Sequence, residues 1–211
     1  MLHVFFEFRQ SYARVLLRSN TTNKPKLIFM INLLFWANLI LVYLMLVGTI
    51  YSIVRPNHRI RPPPDNKSLQ YYGTWILFDL SVVINIALAF SSWDTWIVPF
   101  EVRLFIGITI ILLGSILVSW GMKTLGMNNT FGEAKGLKTT GAYQITRNPQ
   151  YLGDIILYIG LILLVNSLYV AIILILKIVI FILAPIAEES WLDEKYGDDY
   201  REYTKGVQRF L

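Results

Sequence analysis

Two polar stretches of this chain carry the residue types from which a ligand site is built. The first is Gly136-Leu-Lys-Thr-Thr-Gly-Ala-Tyr-Gln-Ile-Thr-Arg-Asn-Pro-Gln-Tyr-Leu-Gly153. Gly141 permits a tight turn, and Pro149 suits the first turn of a following helix. Arg147, Asn148 and Tyr151 then stand at the mouth of that helix. They offer a guanidinium, an amide and a phenol, a set that holds a carboxylate, ribose hydroxyls or a ring. The same residues also suit a plain membrane-entry loop, with Arg147 on lipid phosphate and Tyr143 and Tyr151 as interfacial anchors. Composition leaves these two readings level.

The second stretch is Ala187-Glu-Glu-Ser-Trp-Leu-Asp-Glu-Lys-Tyr-Gly-Asp-Asp-Tyr-Arg-Glu-Tyr203. Glu188 and Glu189 emerge where a long apolar run ends. Two adjacent carboxylates at a membrane boundary are costly unless something cationic faces them. A helix continued past them would also set Glu189 against Asp193 at i, i+4. A cationic ligand would relieve both problems, whereas an ordinary acidic helix paired with Lys195, Arg201 and Lys205 is the commoner use of such a charge run. If the chain folds so that Glu188 and Glu189 approach Arg147 and Tyr151, the site suits a zwitterion.

Other chemistries find no support. Gly132, Gly136 and Gly141 have the wrong spacing for a dinucleotide fingerprint, and there is no Walker loop, H-E-x-x-H or G-x-S-x-G. The absence of cysteine excludes a disulfide framework, Cys-based zinc sites and a thiol nucleophile. His3 and His58 are too few and too isolated for a His-rich metal site, so no metal is expected. A net charge of +5 is modest and reports topology rather than nucleic-acid binding.

The elements that must position these residues are membrane spans. Only 16% of residues are charged and mean hydropathy is +0.52, with the apolar excess collected in long runs. Leu27 to Val54 has no charged residue. The proline-rich segment from Arg55 to Asp65 ends it. Tyr71 to Phe90 is interrupted only by Asp79 and Asn85, and Leu104 to Gly121 follows a Trp-bearing turn. Ile155 to Ala187 is apolar apart from Lys177. As one helix it would extend about 50 Å, against a hydrocarbon core of about 30 Å. The adjacent Asn166 and Ser167 therefore predict a hairpin, which gives five spans.

Five spans place the Arg55–Gln70 loop, the Met122–Asp154 segment and the tail on one face with 12 basic residues, against 6 on the other. The positive-inside bias makes the first face cytosolic, although five of the six opposing charges cluster in the N-terminal segment. Phe5, Phe8, Tyr12, Val15 and Leu16 lie on one side of a helical projection, so residues 1–20 are expected to form an amphipathic helix on the membrane surface. Asp79 and Lys177, at similar depth and of opposite sign, are expected to pair. Pro185 is expected to kink the last span and open a lateral entrance.

The order G-x-Y-x-x-x-R-x-P-x-Y-x-G, an apolar hairpin, then E-E-x-x-L-x-x-x-Y-G-x-x-Y-x-x-Y resembles the isoprenylcysteine carboxyl methyltransferase and phospholipid methyltransferase family, from Leu125 to Arg209. Leu125-Gly126 and Thr130-Phe131 resemble the family's lead-in. The resemblance implies an integral membrane enzyme that uses S-adenosylmethionine. Leu137, Gly141 and Tyr143 would border the adenosine; Arg147, Asn148 and Tyr151, beside Pro149, would face the polar groups. Glu188 or Glu189 would bind the ammonium or ribose, and Tyr200 and Tyr203 would close the site. Methyl transfer is an in-line displacement, so no covalent nucleophile is expected and no catalytic residue is assigned.

Two departures qualify the match. Asn148 stands where the family has His, so a His-dependent proton transfer is not expected. Phe181 to Ala187 lacks the Arg that clamps a substrate carboxylate in carboxyl-methylating relatives; Arg147 or Lys177 replaces it, or the acceptor is not a prenylcysteine. The reading is thus an all-α integral membrane protein of about five transmembrane helices, with a C-terminal helical hairpin and a cytosolic cofactor-binding tail. Residues 1–121 form the N-terminal part and 122–211 the methyltransferase core. Its expected activity is S-adenosylmethionine-dependent methyl transfer to a lipophilic acceptor entering from the bilayer, resembling isoprenylcysteine carboxyl O-methyltransferase, with methylation of a phospholipid or another small lipophilic molecule as the alternative. A non-catalytic membrane scaffold or transporter is the rival.

Overall fold

Apolar runs long enough to cross a bilayer become helices because only an internally hydrogen-bonded backbone is tolerated in hydrocarbon. The computed structural model describes residues 24–63, 68–96, 98–126, 129 and 136–211. Within them run α1 (Lys24–Val54), α2 (Leu69–Ser91), α3 (Phe100–Leu125), α4 (Pro149–Val165) and α5 (Leu168–Gly206). Short 3₁₀ turns occupy Pro56–His58 and Gly141–Gln144, and no strand occurs among the described residues. Four helices are long and apolar enough to span a membrane, and α4 is a shorter apolar helix of 17 residues. The protein is an all-α integral membrane protein. The expected surface helix over residues 1–20, and the Thr130-Phe131 part of the lead-in, lie outside the described residues.

The reversal at Asn166-Ser167 is present. Asn166 takes the left-handed conformation (φ 53°, ψ 48°) that ends α4, and the Ser167 side chain accepts the Val170 backbone N–H to start α5. The turn is anchored to the α2–α3 connection. Asn166 Oδ1 accepts from the Val98 N–H at 3.2 Å, and its Nδ2 donates to Asp94 Oδ1 at 3.0 Å. Buried Arg103 completes the clasp, donating to the Leu164 carbonyl at 2.8 Å and pairing with Asp94 at 2.9 Å.

α5 is the central helix, packed against α1, α2 and α4, while α3 packs along α4. The α3–α4 seam is made by small residues. A Cβ on Gly114 would lie 2.5 Å from the Leu157 nitrogen and 2.7 Å from the Gly153 carbonyl oxygen. Only glycine lets the two backbones approach that closely. α1 and α2 are joined by polar contacts, Ser81 Oγ donating to Asn38 Oδ1 at 2.6 Å and Asn38 Nδ2 to Asn85 Oδ1 at 3.3 Å. α2 and α3, consecutive in the chain, share no extended interface among the described residues.

One expectation about the spans is corrected. Asp79 is exposed on α2, and no ion pair joins it to Lys177 among the described residues. Its neighbour Phe78 faces α5 instead, because adjacent helical residues point about 100° apart. Lys177 is buried with its ammonium 5.7 Å from the Phe78 ring centre and 6.0 Å from that of Tyr158. Helical dihedrals run through Pro185, and the break in α5 falls at Gly197 (φ 52°, ψ −125°).

Candidate functional site

Beyond Ala187 the apolar span gives way to a polar helical extension, and Gly197 bends it back toward the bundle. The bend brings Arg201 to Asp193, with Nε 2.8 Å from Oδ1. The expected repulsion between Glu189 and Asp193 is therefore answered separately for each carboxylate. The tail then docks on the segment before α4. Arg147 N–H donates to the Gln208 carbonyl at 2.9 Å, and Thr146 Oγ1 and Asn148 Nδ2 both donate to the Arg209 carbonyl at 3.0 Å. Tyr203 Oη donates to the Tyr143 carbonyl at 2.6 Å.

This closure forms a cavity of about 490 Å³. Its mouth is lined by Leu137, Lys138, Arg147, Glu188, Glu189, Tyr200 and Tyr203. Its inner part is walled by Trp75 and Phe78 of α2, Val118 of α3, Tyr151 and Asp154 of α4, and Phe181 of α5. Walls from both α2 and α3 border it at the place where those helices do not pack together.

Both glutamates are answered by arginines. Glu189 accepts from Arg209 Nε at 2.8 Å and Nη2 at 2.7 Å, and pairs with Arg147 Nη2 at 3.2 Å. The planar guanidinium of Arg209 matches the carboxylate with two parallel bonds. Glu188 accepts from Tyr151 Oη, and Arg61 Nη2 donates to the same phenol oxygen at 2.9 Å. Arg61 Nε lies 3.8 Å from Glu188 Oε1. Burial raises the Glu188 carboxyl above the ordinary value, and Arg61 and the Tyr151 bond only partly offset it. Burial likewise pushes the Tyr203 phenol up to about 12, so it stays protonated and able to donate.

Nine of the residues expected at a site line this cavity: Leu137, Tyr143, Arg147, Asn148, Tyr151, Glu188, Glu189, Tyr200 and Tyr203. Gly141 and Pro149 do not. Gly141 (φ 58°) turns the chain against Thr124 of α3, and Pro149 occupies the first turn of α4. Cationic groups of the chain itself face the paired carboxylates, since Arg61, Arg147 and Arg209 supply charge there. Arg61 and Arg209 were visible in the sequence only as topology charges. No local spacing links Arg209 to Glu189 or Arg61 to Tyr151; the fold alone brings them together. Asp154 had a readable signal, lying three residues after Tyr151 and hence on the same helical face.

A family model for phospholipid methyltransferase matches residues 102–199. The match spans α3, the cavity loop, the hairpin and the glutamate-bearing extension. The protein is a membrane methyltransferase, similar to this family over that stretch. Along 148 residues the methyltransferase is 27% identical to phosphatidylethanolamine N-methyltransferase B of Dictyostelium discoideum, covering 65% of this chain and 73% of that protein. No solved structure matches the methyltransferase. The similarity supports the methyltransferase reading over the non-catalytic scaffold or transporter.

Proposed function

We propose that this methyltransferase moves the methyl group of S-adenosylmethionine onto the amine of a phospholipid headgroup at the cytosolic face of its membrane. The observation that carries the reading is the two-part cavity, charged at its mouth and aromatic within, bordered where α2 and α3 part. A water-soluble donor would enter at the mouth, and a lipid acceptor would slide in between the helices.

The residues present fit the donor. Arg147 keeps a buried Nε–H with no hydrogen-bond partner, and a donor carboxylate would be drawn to that guanidinium. A carboxylate offers about four lone-pair sites. Glu189 uses three of them on Arg147 and Arg209, which leaves one for an ammonium. Leu137 and Tyr143 would border the adenosine, and Tyr200 and Tyr203 would cover the mouth. Bound there, the sulfonium supplies an electrophilic methyl carbon. The chain's own work is to hold the donor and acceptor in line and to exclude water, through the tail docked on the segment before α4.

The amine is favoured over a prenylcysteine carboxylate because the cations facing the inner cavity are already committed. Arg61 serves Tyr151 and Glu188, and Lys177 lies between rings outside the cavity lining. The named activity of the Dictyostelium relative agrees with the amine. Calorimetric titration of the purified protein with S-adenosylhomocysteine tests the donor half of the reading. Saturable heat is expected, and a folded sample giving none would overturn it. Methyl-tritiated donor incubated with phosphatidylethanolamine and with a farnesylcysteine analogue tests the other half, with label expected only in the phospholipid.

A further inference from the structure

We infer that Asp154 is the residue that binds the acceptor's ammonium group and takes its proton. The inference rests on the amine-methylating reading above. Among the three carboxylates that line the cavity, Glu188 and Glu189 are held by arginines, whereas no hydrogen-bond donor or ion-pair partner reaches Asp154 among the described residues. Asp154 sits three residues beyond Tyr151 on α4, on the inner side of the Tyr151–Glu188 contact, and is only partly buried. Arg61 acts on it electrostatically but lies beyond ion-pair distance.

The surroundings suit a small cation. Phe181 gathers the inner wall, its ring centre 5.7 Å from that of Tyr151, 5.5 Å from that of Tyr158 and 6.5 Å from that of Phe78. Aromatic faces attract alkylammonium groups, and a carboxylate beside them supplies the counter-charge. An ammonium has no lone pair, so it must lose a proton before it can attack. The N–H bond breaks and an O–H bond forms on Asp154. The freed nitrogen pair then makes the N–C bond to the methyl carbon as the C–S pair withdraws onto sulfur, and the Asp154 proton returns to water through the mouth.

The test uses the full chain in detergent micelles without donor, titrated with dihexanoyl phosphatidylethanolamine and followed by tryptophan fluorescence. Dihexanoyl phosphatidylmethanol, which keeps the phosphate and lacks the amine, is the comparison. Wild type is expected to bind the amine lipid at least about tenfold more tightly, and Asp154→Asn to lose that preference while its S-adenosylhomocysteine affinity stays within about twofold. Methylation by Asp154→Asn should fall about a hundredfold or more, with Asp154→Glu restoring part of it. Equal binding of the two lipids by wild type overturns the inference whether or not the variant folds. So does an Asp154→Asn protein that keeps the wild-type preference. Absence of S-adenosylhomocysteine binding in wild type would instead strike the donor reading, because the lipid titrations need no donor.

Discussion

Glu189 adds an ionic tie between two parts of the chain, since Arg147 precedes α4 and Arg209 belongs to the tail. Replacing it by Gln leaves two guanidiniums facing each other across the site with no counter-charge. Removing one partner of a buried pair costs about 3–5 kcal/mol, and the 39% exposure of Arg209 places this network below that range. Glu189→Gln is expected to weaken S-adenosylhomocysteine binding about tenfold or more by calorimetry and to speed proteolysis of the tail. Glu188 gives a prediction in pH. Its carboxyl is raised in the folded protein, so the folded state holds that proton more tightly than the unfolded chain does. The Glu188 charge therefore opposes folding at neutral pH, and that opposition fades as pH falls through the raised value. The difference in thermal midpoint between wild type and Glu188→Gln should narrow as pH falls from about 8 to about 5. A gap that stays constant would show that the charge on Glu188 is already lost or fully compensated across that range. Which carboxylate meets which arginine was not legible in the sequence, because the partners are 20 to 127 positions apart and share no helical register.

The hairpin is the element on which the site depends, and it was readable. An apolar run too long for one crossing held a single adjacent pair of turn formers, and those residues supply the left-handed cap and the new N-cap. The bend at Gly197 was not readable, because a glycine within a charged run carries no mark of a positive φ until the chain must return. Its ψ of −125° with φ of 52° is a conformation that side-chain-bearing residues rarely adopt. Gly197→Ala should lower S-adenosylhomocysteine affinity severalfold while leaving the membrane helices intact by circular dichroism. At the α3–α4 seam, Gly114→Val would set atoms against the Leu157 backbone, which is already 2.5 Å from an added Cβ. Overpacking costs about 1–3 kcal/mol or more. The variant is expected to lose its monodisperse peak in size-exclusion chromatography, whereas Gly73→Val on α2, where nothing lies within 4 Å, should keep it.

Taken whole, the methyltransferase gathers the loop after α1, the segment before α4 and the C-terminal tail at one end of the bundle, and the Arg103 clasp lies at the other end of the hairpin. The absence of native cysteine allows single cysteines to report sidedness directly. Cysteine at Lys138 and at Glu202 should react with a membrane-impermeant maleimide from the same side, and cysteine at Thr95 from the opposite side. Lys138 and Glu202 labelling from opposite sides would dismantle the cavity. The chain's own pattern of apolar runs and turn formers determined the class of protein, the spans and the hairpin, because burial in lipid and helix capping are local demands that each segment answers by itself. Tertiary structure alone decided that Asp79 faces outward, that Arg61 and Arg209 answer the glutamates, and that Asp154 is left without a donor. Those outcomes depend on which helix faces meet, and a face is chosen by packing against segments distant in the chain.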